Sequence, residues 1–128
     1  MTSEAPLILI GEDSVDLREA FVDWFTFKGF RVESAADGHQ TLVKARELLP
    51  EAIVMDVSLP GLDGLEVARR LRSDDHTRAI PLIAITGHGG DDIVARTVAA
   101  GFDCYLLKPC LPDRLLAEVR RLMERERG

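Results

Sequence analysis

Apolar residues in this chain gather in short unbroken runs, separated by longer stretches where they recur every three or four positions. The unbroken runs are Leu7 to Ile10, Ala52 to Val57, Pro81 to Thr86 and Cys104 to Leu107, with a weaker one at Phe30 to Ser34. Runs of that length without polar alternation suit strands covered on both faces. Between them, Leu17, Phe21, Trp24 and Phe25 keep the i, i+4, i+7, i+8 spacing of a helix, and Ser14 is its expected N-cap. Leu42, Ala45 and Leu49 predict a second helix, and Leu65, Ala68 and Leu71 a third. Ile93 to Ala100 predicts a fourth, with Asp91 or Asp92 as its cap and Gly101 as its stop. Leu115, Leu116, Val119, Leu122 and Met123 line a fifth, with Pro112 near its first turn.

Five strands alternating with five helices favour an α/β architecture: a parallel sheet with helices on both faces. No linker, repeat or low-complexity tract interrupts the order, so residues 1–128 read as one domain with a core from about residue 6 to 125. Composition changes this picture little. At 46% hydrophobic and 30% charged, the chain can bury a core without disulfides or a structural metal. The net charge of −6 argues against a direct nucleic-acid partner, which would favour clustered Lys and Arg. Cys104 and Cys110 would lie roughly 20 Å apart on an extended path, beyond the reach of a disulfide. They read as free thiols in a reducing compartment. The first residues carry no basic stretch, and Leu7 to Ile10 is too short for a signal sequence or a membrane span. The expectation is a cytoplasmic protein without a membrane partner. His39 and His76 read as loop residues, and Trp24 as core or partner-facing surface.

In parallel sheets, ligands bind beyond the carboxyl ends of the strands. Glu12 and Asp13 follow the first strand, with Asp16 nearby; Asp56 ends the third, Thr86 the fourth, and Lys108 follows the fifth. Parallel alignment would bring together three carboxylates, a hydroxyl and an ammonium. Crowded carboxylates raise one another's pKa values, and a divalent cation relieves the repulsion. An all-oxygen donor set suits Mg²⁺, with Mn²⁺ as the alternative, rather than zinc. Lys108 could then pair with an incoming phosphoryl group, Thr86 could donate to one of its oxygens, and Asp56 becomes the candidate nucleophile.

Glu12-Asp13, the segment Val54-Met55-Asp56-Val57-Ser58-Leu59-Pro60-Gly61-Leu62-Asp63-Gly64, Thr86-Gly87 and Tyr105-Leu106-Leu107-Lys108-Pro109 occur in order. In this the chain resembles the receiver domain of response regulators over essentially its whole length. The resemblance implies a doubly wound, flavodoxin-like (βα)5 fold with strand order 2-1-3-4-5. It implies that Asp56 accepts a phosphoryl group from a sensor histidine kinase or histidine phosphotransfer protein. Asp13, Asp56 and the Ser58 main-chain carbonyl would hold Mg²⁺, with Glu12 acting through water. Thr86 and Lys108 would bind the phosphoryl group, and Tyr105 would change rotamer when Thr86 moves. Ser58 and His88 would flank the path of attacking water and tune phosphate lifetime. Such a domain is not a dedicated enzyme, though it catalyses its own phosphorylation and dephosphorylation. The output would reach a partner at the face of helix four, strand five and helix five, unless the chain is a phosphate sink. The family also implies a cis Lys108-Pro109 bond. Cys110 stands where many relatives carry Phe, which would loosen local packing.

Three readings compete. A phosphatase of the haloacid dehalogenase type wants an Asp-x-Asp nucleophile after its first strand, where this chain has Gly11-Glu12-Asp13. A flavodoxin-like nucleotide binder needs a phosphate-cradling loop there, and this loop is acidic. An unphosphorylated scaffold would not need the complete site. No output domain follows the fifth helix, which ends near Arg127, and Met1 favours a stand-alone receiver over an excised piece.

Overall fold

A computed structural model describes residues 5–87 and 89–127. The chain runs β1 (Leu7–Gly11), α1 (Val15–Phe27), β2 (Arg31–Ala35), α2 (Gly38–Leu48), β3 (Ala52–Asp56), α3 (Gly64–Arg72), β4 (Leu82–Thr86), α4 (Asp91–Ala100), β5 (Cys104–Leu107) and α5 (Pro112–Arg127). The five strands form one parallel sheet in the order β2-β1-β3-β4-β5. This is the parallel α/β sheet that the alternating pattern predicts, in the doubly wound order that the resemblance implies.

The unbroken apolar runs have the predicted cause. Every residue of β1, β3 and β4 is buried, because helices cover both faces. Successive side chains alternate between two cores. Leu9, Ile53, Met55 and Leu82 face Leu42 of α2 and Leu65 and Leu71 of α3. Ile8, Ile10, Ile83 and Ile85 face Phe21 and Phe25 of α1 and Leu115, Val119 and Leu122 of α5. Each fully buried aliphatic chain contributes about 1.5–3 kcal/mol. The strand β2 lies at an edge and is only half covered, hence its weak signal in the sequence.

Four local expectations need correction. The second strand sits one residue later than its apolar run. Phe30 precedes it and packs edge-on against Phe25, 5.6 Å between ring centroids. Leu49 does not belong to α2. It is the helix C-cap in left-handed conformation, φ 47°, and is 49% exposed, because Pro50 disfavours a helical residue before it. His39 is helical rather than looped: the Asp37 carboxylate accepts from Gln40 N at 2.8 Å and starts α2 before it. Finally, α4 is capped by Gly90 without a side-chain bond. Asp91 and Asp92 lie inside its first turn, where carboxylates complement the helix dipole. Gly101, at φ 106°, does stop α4.

Several other residues lie where the sequence places them. Ser14 caps α1, its hydroxyl accepting from Leu17 N at 3.3 Å. Trp24 is partly buried against the second core, with the Lys28 ammonium 4.8 Å from its ring centre. His76 lies exposed in a turn. Both cysteines are free thiols. Burial, then the neighbouring Glu118 carboxylate, pushes Cys104 up to about 11. Cys110 lines an apolar cavity of about 390 Å³ with Leu17, Phe21 and Ile85. Among the described residues, no helix is long and apolar enough to cross a membrane.

Candidate functional site

The register of the sheet brings the carboxyl ends of its central strands level. Gly11 pairs with Met55, Asp56 with Ile85, and Thr86 with Leu107. The amide of Lys108 donates to the Thr86 carbonyl at 2.8 Å, which extends the pairing one step past β5. The Lys108-Pro109 peptide is cis, as the family resemblance implies. Two glycines set the loop after β3. A side chain at Gly38 would overlap the Leu62 carbonyl, and a Cβ at Gly64 would lie 2.5 Å from the Asp56 carbonyl oxygen. The start of α2 and the start of α3 can therefore close on the Asp56 segment only with glycine at both positions.

Glu12, Asp13 and Asp56 meet there, each offering a carboxylate oxygen within 4.8 Å of the others. Glu12 and Asp56 are 2% and 5% exposed, while Asp13 faces solvent. The Lys108 ammonium lies 2.6 Å from Asp56 Oδ2 and 2.9 Å from Glu12 Oε1. The second oxygen of each acid takes a backbone donor: Ser58 N reaches Asp56 Oδ1 at 2.8 Å, and Ser14 N reaches Glu12 Oε2 at 2.9 Å. Burial lifts the Glu12 pKa above the usual carboxylate range, reinforced by the charge of Asp56 and opposed by Ser14 and Lys108. For Lys108, burial is the largest influence and acts downward. The bonds and charges of Asp56 and Glu12 together outweigh it and leave the pKa above an ordinary lysine's. Lys108 is therefore an ammonium at neutral pH.

Thr86, 1% exposed, ends β4 beside this group. Ser58 lies two residues beyond Asp56 and is exposed. Tyr105 sits on the edge strand β5, opposite Ala84 and 37% exposed, outside the acidic group. Asp16 lies in the first turn of α1 and is not among the converging acids. His88 lies outside the described residues. Sequence reasoning passed over Arg18, whose guanidinium touches the acidic loop through main-chain carbonyls. Its contacts depend on how the loop from Glu12 to Ser14 turns, and nothing in the spacing of residues marks that.

Three carboxylates and one ammonium, with no nitrogen or sulfur ligand, form a donor set for a hard divalent cation and leave a positive group for an anion beside it. A response regulator receiver domain model matches residues 8–120, and the chain belongs to that family. Among curated proteins, it is 38% identical over 120 residues to the transcriptional regulatory protein AfsQ1 of Streptomyces coelicolor, covering 94% of this chain and 52% of that one. It is 41% identical over 123 residues to the response regulator MprA of Mycolicibacterium vanbaalenii, covering 92% and 50%. The chain thus spans about half the length of the curated relatives it matches. Among solved structures, the chemotaxis response regulator CheY4 of Vibrio cholerae is 28% identical with a TM-score of 0.86, over 94% of this chain and 99% of that one. The receiver domain of the Pseudomonas aeruginosa sensor histidine kinase PA1611 is 30% identical with a TM-score of 0.87, over 94% and 98%. That structure has a magnesium ion coordinated in its active-site cleft.

Proposed function

We propose that this receiver domain, taken as one unit over residues 1–128, accepts a phosphoryl group on Asp56 with Mg²⁺ bound beside it. The observation that carries this reading is the meeting of Glu12, Asp13 and Asp56 within 4.8 Å, with Lys108 2.6 Å from Asp56. Asp13, Asp56 and the Ser58 carbonyl would hold the cation, and Glu12 would act through water. Mn²⁺, equally an oxygen-seeking cation, is expected to substitute. When bound, the cation neutralises the acids that would otherwise repel a phosphodonor.

The protein's own groups do the rest. An Asp56 carboxylate oxygen attacks phosphorus, the bond from phosphorus to the donor breaks, and the donor leaves with that electron pair. Lys108 shifts its ammonium from the Asp56 carboxylate toward the transferred group, and the Thr86 hydroxyl donates to a phosphoryl oxygen. The donor would be a phosphohistidine on a sensor histidine kinase or phosphotransfer protein. Hydrolysis reverses the state at a rate that Ser58 and His88 would tune. The exposed Tyr105 would turn inward as Thr86 moves and so report the state at the α4, β5 and α5 face.

Acetyl phosphate with Mg²⁺ should add one phosphoryl group, read as intact mass. Asp56→Asn, or excess EDTA with the parent, should abolish the addition. Labelling of Asp56→Asn equal to the parent's would refute the assignment of the acceptor. Undiminished labelling in EDTA would show that the transfer needs no divalent cation.

A further inference from the structure

Within the acidic group, Asp13 is anchored differently from its two companions. Glu12 and Asp56 each contact the Lys108 ammonium and a backbone N–H. The Asp13 side chain has no hydrogen bond or ion pair among the described residues and faces solvent. Its direction is therefore set by the backbone of the loop from β1 into α1, and the question is what holds that loop.

Three of its holds are backbone or cap bonds. Glu12 N donates to Ala35 O at 3.0 Å, Ser14 N to Glu12 Oε2 at 2.9 Å, and Leu17 N to Ser14 Oγ at 3.3 Å. The fourth is a charged side chain. Arg18 Nη1 donates to the Glu12 carbonyl at 2.9 Å and lies 3.4 Å from the Asp13 carbonyl. Arg18 is itself seated on α1, its amide bonded to Ser14 O at 2.9 Å. A single guanidinium nitrogen thus reaches two successive carbonyls of the acidic loop, from a rigid helix, on a side chain that stays charged at all working pH values. Bonds from an ionised donor are the stronger kind.

We propose that Arg18 is a positioning residue for the divalent cation: by bridging the main-chain carbonyls of Glu12 and Asp13, it pre-sets Asp13 toward Asp56. The inference rests on the reading that this acidic group holds Mg²⁺. Two physical effects of Arg18 on that cation oppose each other. Positioning spares the cation the cost of ordering the loop and strengthens binding. The positive charge repels the cation and weakens binding, but the guanidinium is spread over carbonyls rather than aimed at the carboxylates, and solvent at Asp13 screens it. Positioning should win.

Calorimetric titration of the unphosphorylated full chain with MgCl2 reads this sign directly, with thermal unfolding of each variant in EDTA run alongside. Arg18→Ala should weaken Mg²⁺ roughly tenfold, the lower end of what loss of an outer-shell partner costs. Arg18→Lys keeps the charge and one carbonyl bond, and should recover part of that loss. A merely structural role would lower the unfolding temperature and leave the affinity in place. If the parent binds Mg²⁺ and Arg18→Ala binds it equally or more tightly, this inference is overturned alone. If the parent binds no Mg²⁺, the inference falls together with the metal reading.

Discussion

Asp56 is gripped through both carboxylate oxygens, Oδ2 by Lys108 and Oδ1 by the Ser58 amide. The fold also disturbs the protonation of Glu12 beside it. Burial raises its pKa in the folded chain. A group whose pKa rises on folding stabilises fully below its ordinary range, and that contribution is lost as pH climbs through the raised value. Without divalent metal, the parent should therefore lose stability relative to Glu12→Gln as pH goes from about 4 to about 7. Denaturant unfolding of both proteins in EDTA across that range checks this; a parent whose stability holds level with or gains on that of Glu12→Gln as pH rises would contradict it. The acidic residues and Lys108 were legible in the sequence because each follows an unbroken apolar run, and a parallel sheet leaves such positions at one edge. Arg18 and the Ser14 amide were not legible. Their roles depend on how one three-residue loop turns, which no periodicity records.

At the scale of elements, the end of the sheet away from the acidic group is tied by one side chain. Arg72, at the end of α3, donates to the carbonyls of Gly101 at 2.8 Å, Arg78 at 2.6 Å and Ile80 at 2.7 Å, and to Asp103 Oδ2 at 2.9 Å. Asp103 in turn accepts from Leu82 N at 2.9 Å. Four segments meet there: α3, the loop into β4, the end of α4 and the start of β5. Arg72→Ala takes the guanidinium from three carbonyls and from Asp103, which keeps Leu82 N and Arg125 as partners. It should lower unfolding free energy by about 3 kcal/mol, read by urea titration. A loss under about 1 kcal/mol would show the tie to be dispensable. The periodicity marked every helix and strand, yet missed local starts and stops. Leu49 keeps helical spacing but meets Pro50, and Asp91 and Asp92 resemble caps although Gly90 takes that place. Spacing reports which face is buried; termini are decided by single backbone conformations.

Across the whole molecule, the parallel sheet gathers its chemistry at one edge and leaves an exposed apolar strip along α4, β5 and α5. Val98, Tyr105, Leu107 and Leu111 are exposed there, and a groove of about 730 Å³ runs past Tyr105, Leu111 and Arg114. If phosphorylation is read at this face, amide NMR shifts on adding beryllofluoride, a phosphoryl mimic, should extend from Asp56 to Tyr105 and along α4. Shifts confined to the Asp56 surroundings would instead mark a phosphate sink. The acidic balance of the chain bears less on partners than composition alone suggests. AfsQ1 is a transcriptional regulatory protein matched here over 52% of its length, and charge in one half says nothing of the other. The proposed chemistry is local: Asp56 would take the phosphoryl group, and not Asp13 or Glu12 beside it. After labelling with acetyl phosphate and Mg²⁺, borohydride reduces an aspartyl phosphate to homoserine, which peptide mass spectrometry then locates. Homoserine is expected at position 56 with unmodified acids at 12 and 13; reduction at either of those, with Asp56 intact, would rule Asp56 out as the acceptor.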